Sequence, residues 1–302
     1  MIITVAGGKG GTGKSMVATS LAKEYAKKKT VFLVDVDVEC PNDHLLLDIE
    51  RVNKKTIRQV IPVLDKDACR RCGKCAAVCK QSAIAYVKGK YPAFVKDACI
   101  GCKACMLACP FGAIREGEKE IGSIYEGNSG SIQFISGELR LGQPSSGEVV
   151  TAVRKYAEQL SFLQKPEIIV IDAAAGVGCP VIASLVGSDY MVAVTEPTPS
   201  ALHDLKRSVY LSRHFHIPCG IVINKFDLEN EFCKKIEEFA SVEKMPVIGY
   251  IPYHRNFIEA ALKMRAASEL FPQYAIIFEQ VINNIKSKNV ICSSKPKIDE
   301  FR

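Results

Sequence analysis

The sequence predicts an α/β protein: a mainly parallel sheet with helices on both faces, plus a small inserted α+β module rich in cysteine. Three observations carry this. Apolar, strand-length runs alternate with segments of helical period along most of the 302 residues, as parallel sheets require because each crossover needs a helix. Glycine-rich and acidic clusters fall at the carboxyl ends of the predicted strands, where open α/β sheets bind ligands. Eight of the thirteen cysteines lie in two closely spaced runs of one grammar.

Residues 1–6 are apolar and β-branched and suit a buried first strand. A glycine-rich loop follows, and then Val17, Leu21, Ala22 and Tyr25 give a helical period over 15–28. The second strand is 30–35. Beyond the cysteine segment, Ser123–Ile135 reads as a hairpin turning around Gly127–Gly130. Strands at 168–172, 189–195, 219–224 and 247–251 then interleave with helices near 148–164, 179–187, 199–214, 229–241 and 256–285. The domain plan is therefore 1–62 with 119–287 as one body and 63–118 as an insert. The tail 288–302, with Ser, Lys and Pro and little apolar content, reads as disordered.

The loop after the first strand carries the first chemistry. Gly8, Lys9, Gly10, Gly11, Thr12, Gly13, Lys14 and Ser15 satisfy G-x-x-x-x-G-K-[ST] between a strand and a helix. Glycines let the backbone curl around a phosphate with its N–H groups inward, and the helix N-terminus adds partial positive charge. Lys14 is expected to reach the β/γ phosphates and Ser15 to sit on Mg²⁺.

The cysteine runs carry the second. Cys69, Cys72, Cys75 and Cys79, then Cys99, Cys102, Cys105 and Cys109 with Pro110, each read C-x2-C-x2-C-x3-C. In the ferredoxin pattern three closely spaced thiolates grip one iron–sulfur cube and the fourth crosses to the other. Cys69, Cys72, Cys75 and Cys109 are thus expected on one [4Fe–4S] cluster, and Cys99, Cys102, Cys105 and Cys79 on the second. Zinc sites generally pair cysteines across a longer gap. The runs form an internal repeat offset by thirty residues, matching at Ala68/Ala98, Ala83/Ala113 and Ile84/Ile114; Lys80 stands where the second run has Pro110.

With Lys9 added, the loop reads K-G-G-T-G-K-S and resembles the deviant Walker A of the MinD/ParA/Mrp/nitrogenase-iron-protein superfamily. Val31–Asn42 looks like its second strand and switch I, Ile168–Gly176 like its Walker B strand and switch II, and Ile221–Lys225 like its adenine-recognition segment. The chain is similar to a MinD-type ATPase with an inserted ferredoxin domain. The resemblance implies an ATP-dependent homodimer in which Lys9 crosses to the partner's phosphates. It implies that Asp37 orients the attacking water, that Asp35 and Asp172 lie near Mg²⁺ directly or through water, and that Asn224 with Lys225 meets the base. Cys179, seven residues after Asp172, matches the interval to a cluster ligand in the nitrogenase iron protein. No second matching cysteine accompanies it, and it reads as a small residue beside Pro180.

The net charge of +7 is concentrated in residues 66–118, where ten Lys/Arg face four Asp/Glu. Two oxidised four-thiolate clusters would bring about −4 there, so the excess reads as internal compensation rather than a nucleic-acid face. No apolar run reaches the ~18 residues of a membrane span. Thirteen cysteines with no signal peptide point to the cytoplasm. Together these readings lead to an ATPase whose nucleotide state is coupled to electron transfer, with an unidentified redox partner. The alternative is an ATP-dependent cluster carrier or scaffold of the Mrp kind, delivering to an apo-protein, although the C-terminal half lacks the C-x-x-C pair such carriers use.

Overall fold

The computed structural model describes residues 1–287; the tail expected to be disordered lies outside the described residues. In chain order the elements begin with β1 (Ile2–Gly7), α1 (Lys14–Ala26), β2 (Val31–Val36), α2 (Asp43–Leu46) and β3 (Val52–Leu64). The cysteine segment holds α3 (Lys74–Ala77), β4 (Ile84–Ala85), β5 (Ala93–Phe94) and α4 (Ala104–Leu107). There follow β6 (Ile114–Ser129), β7 (Ile132–Leu139), α5 (Ser146–Gln164), β8 (Ile168–Ala175), α6 (Cys179–Leu185), β9 (Tyr190–Thr195), α7 (Pro199–His214), β10 (Cys219–Asn224), α8 (Asn230–Val242), β11 (Val247–Ile251), α9 (Arg255–Leu262), α10 (Ala267–Leu270) and α11 (Pro272–Ser287).

Nine strands form one sheet in the order β11-β10-β9-β1-β8-β2-β7-β6-β3. It is parallel from β11 to β7 and antiparallel only at β7–β6 and β6–β3. Strand alternation sorts the apolar side chains to two faces. In β2, Val31 and Leu33 pack with α1 and α11, while Phe32, Val34 and Val36 pack with α5. Near the other edge, Ile221 and Ile223 of β10 join Leu205 and Val209 of α7.

Three features depart from the sequence expectations. The hairpin turns at Gly130–Ser131, with Ser129 opposite Ile132. Gly127 instead lies inside β6 against Ile49, where a Cβ would come within 2.4 Å of Ile49 Cγ2. The helical stretch 256–285 is three helices, broken at Met264 (φ +52) and again at Pro272, which has no N–H to continue a preceding helix. The 13-residue strand β3 is not legible in the sequence, because its polar residues hide the alternation of buried Ile57, Gln59 and Ile61. As a result the expected boundaries at 62/63 and 118/119 fall inside β3 and β6. The cysteine segment grows from the end of this two-stranded ribbon, which pairs from Val52–Glu126 to Leu64–Ile114.

Candidate functional site

The central strands end in the polar clusters. β1 runs into the glycine loop and α1 starts at Lys14 with Gly13 at φ +92, a conformation that favours glycine. A Cβ at Gly13 would also lie 2.4 Å from Asn224 Nδ2. Gly10 and Gly11 face open space, whereas Gly8 is pressed against α7, with room for no Cβ beside Asp204. The absence of a side chain at Gly8 lets the loop lie on α7.

Several side chains brace this loop. Lys14, buried, donates to Lys9 O at 3.3 Å, and Thr12 Oγ1 donates to the same carbonyl at 3.3 Å. Asn224 Nδ2 donates to Thr12 O at 2.8 Å, while its Oδ1 accepts from Lys225 N at 3.0 Å. Lys225 Nζ donates to Gly11 O at 3.2 Å and to Glu196 Oε2 at 2.9 Å. Glu196 Oε1 accepts from Lys9 Nζ at 3.0 Å. Burial alone would raise the Glu196 carboxyl, but the bonds from Lys225 and Lys9 hold it below the usual carboxylate range.

Facing the loop are Asp35 at the end of β2, Asp172 on β8 and Asp43 at the start of α2. All three are buried, with carboxylate oxygens within 4.8 Å of one another. Asp35 is already engaged: its oxygens accept from the backbone N–H groups of Asp37 (3.1 Å), Asn42 (3.1 Å) and Asp43 (3.2 Å). It staples the loop 37–43. Both oxygens of Asp43 and of Asp172 have no hydrogen-bond partner among the described residues. Burial, then the charge of Asp172, holds Asp35 and Asp43 well above their ordinary range, and burial carries Asp172 to about 7. Orphaned buried carboxylates of this kind fit a divalent cation. Asp37 is half-buried on the same loop, and its carboxyl is raised by burial against the opposing pull of Lys14.

Beside Gly13 opens a largely apolar cavity of about 300 Å³, lined by Asn224, Lys225, Tyr253, His254 and Phe257 among others. Its size and its place at the strand ends suit a nucleotide base.

The cysteine segment repeats its own geometry. The third cysteine of each run, Cys75 or Cys105, is buried in a one-turn helix entered through a left-handed residue, Gly73 (φ +77) or Lys103 (φ +60). Arg71 N donates to Cys69 Sγ and, thirty residues on, Gly101 N donates to Cys99 Sγ, both at 3.4 Å. One cavity is lined by Cys69, Cys72, Cys75 and Cys109. A second is lined by Cys79, Cys99, Cys102 and Cys105, with Val60 and Pro62 of β3 in its wall. None of the eight is in a disulfide. Each cavity thus holds three cysteines of one run and the fourth of the other, a donor set that fits a four-thiolate cluster.

Of the predicted site residues, the loop, Asp35, Asp37, Asp172, Asn224 and Lys225 come together at the sheet's carboxyl edge, and the eight cysteines form a separate group at the ribbon tip. Sequence reasoning missed Asp43 and Glu196. Glu196 follows the apolar run 190–195 and carries the same strand-end signal as Asp35 and Asp172. Asp43 carries none, since a turn of the 37–43 loop brings it in.

A phosphate-shaped loop on a central strand, faced by three crowded buried carboxylates with Lys14 as the nearby cation, has the chemistry of a nucleotide with its metal. The class is the P-loop nucleotide-binding proteins. The CobQ/CobB/MinD/ParA nucleotide-binding domain matches residues 3–266, and the chain belongs to that family. Among relatives, the chain is 36% identical to the uncharacterized protein MJ0578 of Methanocaldococcus jannaschii, covering 76% of this chain and 80% of that one. It is 32% identical to MJ0579 of the same organism, covering 87% and 90%. Its fold is similar to the septum site-determining protein MinD of Pyrococcus horikoshii, solved with Mg-ADP (TM-score 0.59, 18% identity, 94% and 95% covered). It is also similar to the cell division ATPase MinD of Pyrococcus furiosus (TM-score 0.58, 18% identity, 95% and 98% covered). Among the described residues no helix is long and apolar enough to cross a membrane.

Proposed function

We propose that this family member is a Mg²⁺-dependent ATPase that holds two [4Fe–4S] clusters and couples its nucleotide state to one-electron transfer to a partner protein. The observation that carries the redox half is the exchange of Cys79 and Cys109 between the two cysteine-lined cavities. A structural zinc site gives no reason for that exchange, and the ferredoxin ligand pattern requires it. When bound, the clusters supply reversible one-electron chemistry.

The residues of the chain divide the nucleotide work. The N–H groups of Gly10–Gly13 and Lys14 hold the phosphates. Ser15 with Asp172 and Asp43 holds Mg²⁺, which relieves the repulsion among the buried carboxylates. Asp37 orients water on the γ-phosphate, and Asn224 with the cavity beside it takes the adenine. Lys9 is tied to Glu196 of its own chain. To reach a partner's phosphates in an ATP-bound homodimer it must leave that carboxylate, which makes the Lys9–Glu196 pair part of the switch.

The test is anaerobic purification with iron and sulfide analysis, EPR of the reduced protein, and ATP turnover of the wild type and Asp37→Ala. We expect about eight irons per chain, [4Fe–4S] spectra, and turnover that falls at least about 100-fold in Asp37→Ala with iron content unchanged. Zinc in place of iron would end the redox reading. Sustained turnover in Asp37→Ala would end the assignment of Asp37. ATP-accelerated delivery of iron and sulfide to an apo-protein would replace electron transfer by cluster transfer.

A further inference from the structure

The two cysteine cavities are joined to the nucleotide-binding body unequally. Among the described residues, those of the first run, Cys69–Cys79, make their hydrogen bonds and ion pairs only within the cysteine segment, for example Arg71 with Tyr91 and Tyr86 with Arg71 O. The residues just before the first run, Asp67 and Ala68, bond only to Asp65 at the tip of the ribbon, whereas the second run and the residues just before it are bonded to Lys119 and Gln143 farther down. Lys119 Nζ donates to Lys96 O at 2.8 Å and to Cys99 O at 3.0 Å, and Gln143 reaches Asp97 Oδ1 at 3.4 Å. Gly101, at φ +71, lies on β3 so tightly that a Cβ there would come within 2.9 Å of Gln59 Cγ.

Gln59 is 1% exposed and crosses from this contact to the start of α5. Its Nε2 donates to Ser145 Oγ at 3.0 Å and to a carboxylate oxygen of Glu148, and its Oε1 has no partner among the described residues. The amide is therefore held from one side only, by the first turn of α5. That turn in turn rests on the segment beyond Asp172: a Cβ on Gly147 would lie 3.1 Å from Cys179 Cβ, the first residue of α6. Between Asp172 and Cys179 the chain passes Gly176 at φ +98, facing open space, which is the conformational freedom a hinge needs. The route from the carboxylate trio is covalent along the chain from Asp172 through Gly176 to Cys179, and then passes by close contact through Gly147, Glu148 and Gln59 to Gly101, between two of the cysteines that line the second cavity.

We propose that the first turn of α5 transmits the nucleotide state to the cluster site of Cys79, Cys99, Cys102 and Cys105, with Gln59 as the positioning residue, and that the site of Cys69, Cys72, Cys75 and Cys109 is insulated from it. This rests on the reading of the cysteine cavities as cluster sites. Packed contacts carry coupling only where an element has two arrangements that both sites bias. Here that element is the segment 173–179 with the α5 turn on it. When it shifts, Glu148 moves relative to Gln59, and the buried amide, with no second partner, follows or loses its acceptor. Either change alters the packing around Gly101 and the Gly101 N–H to Cys99 Sγ bond, one of the terms that sets a cluster potential.

The test uses the full-length chain, with cluster signals assigned from Cys69→Ala and Cys102→Ala. Anaerobic EPR redox titrations are run with MgADP and with a non-hydrolysable MgATP analogue. In the wild type the second cluster should shift between the two nucleotides, a tenfold linkage corresponding to about 59 mV for one electron, and the first should not. Gln59→Leu should abolish the shift with both clusters retained and MgADP affinity within about twofold, since it touches neither the loop nor the trio. Glu148→Gln, which keeps an acceptor oxygen, should preserve it, and Glu148→Ala should lose it. A shift surviving in Gln59→Leu, or one of equal size in both clusters, overturns the proposal. So does a wild type with two clusters and no shift, which leaves the assignment of the cysteines standing. A chain that assembles no clusters refutes both. Hydrogen exchange on the full-length, cluster-loaded chain gives an independent reading: nucleotide should change protection at 97–107 in the wild type and not in Gln59→Leu, and unchanged protection in the wild type refutes the path.

Discussion

Lys9 Nζ and Glu196 Oε1 are bonded at 3.0 Å within one chain. The same carboxylate holds Lys225 at 2.9 Å, so one acidic group on β9's exit keeps two cations against the loop. On the proposed reading, a phosphate arriving in the loop, or a partner's phosphate across a dimer interface, would compete with Glu196 for Lys9. Lys9→Ala is expected to lower ATP turnover about 100-fold, the order seen on removing one transition-state donor. MgADP binding by the monomer should change little, because Lys14 and the loop N–H groups remain. Stopped-flow turnover with sedimentation in MgADP and an ATP analogue separates these effects. Glu196→Gln should reduce ligand-free stability by about 1–2 kcal/mol and lower the ATP-analogue concentration needed for association, since Lys9 has lost its competitor.

The same residue sets an acid-side pH dependence. Its folded-state pKa is depressed relative to the ordinary value of 4.5. The unfolded chain therefore binds the proton first as pH falls, and the stability contributed by the two lysine bonds is complete above that ordinary value. It is lost as pH drops through the folded-state pKa. Urea denaturation at closely spaced pH values below 6 should show a descending limb that is shallower in Glu196→Gln. Identical limbs would mean that the pair contributes nothing to the ligand-free fold.

Asp172→Asn tests the carboxylate trio. Neutralising one of three buried acids within 4.8 Å removes like-charge repulsion, so the ligand-free variant should be more stable than the wild type by about 1 kcal/mol or more. The enhancement of nucleotide affinity by Mg²⁺ should fall about 10–100-fold. Calorimetric melting and nucleotide titration with and without Mg²⁺ check the two together. A variant that loses stability as well as Mg²⁺ dependence would show that Asp172 has a structural partner instead.

The crossing of the fourth cysteines gives a prediction that nearest-neighbour logic would invert. Cys79→Ala combined with Cys99→Ala should cost one cluster, because both line one cavity, although they belong to different runs. Cys79→Ala combined with Cys69→Ala should cost both, although they belong to one run. Iron analysis and EPR spin counting of the two double variants distinguish the patterns.

Much of this was legible in the chain. Glycine and lysine spacing gives the phosphate loop because its geometry is local: consecutive N–H groups, a left-handed Gly13 and the first turn of α1 all lie within nine residues. The apolar runs give the parallel strands because strands buried on both faces must be continuously apolar. The partners that meet across the sheet were not legible. Asp43 joins Asp35 and Asp172 only because three backbone N–H groups of the 37–43 loop fold onto Asp35. β3 escaped because an edge strand carries Lys54, Lys55 and Arg58 toward solvent, a composition that guards the edge and resembles a loop.

The sequence by itself determined what each cluster of residues is chemically suited to bind, since ligand spacing and loop conformation depend on neighbours along the chain. The tertiary structure alone decided which of these residues meet across the fold. Gln59 and Glu148 stand 89 positions apart, and Gly147 and Cys179 meet only because α5 and α6 pack on the same face of the sheet. Contacts of that range follow from strand order and helix packing, which no local pattern of residues encodes.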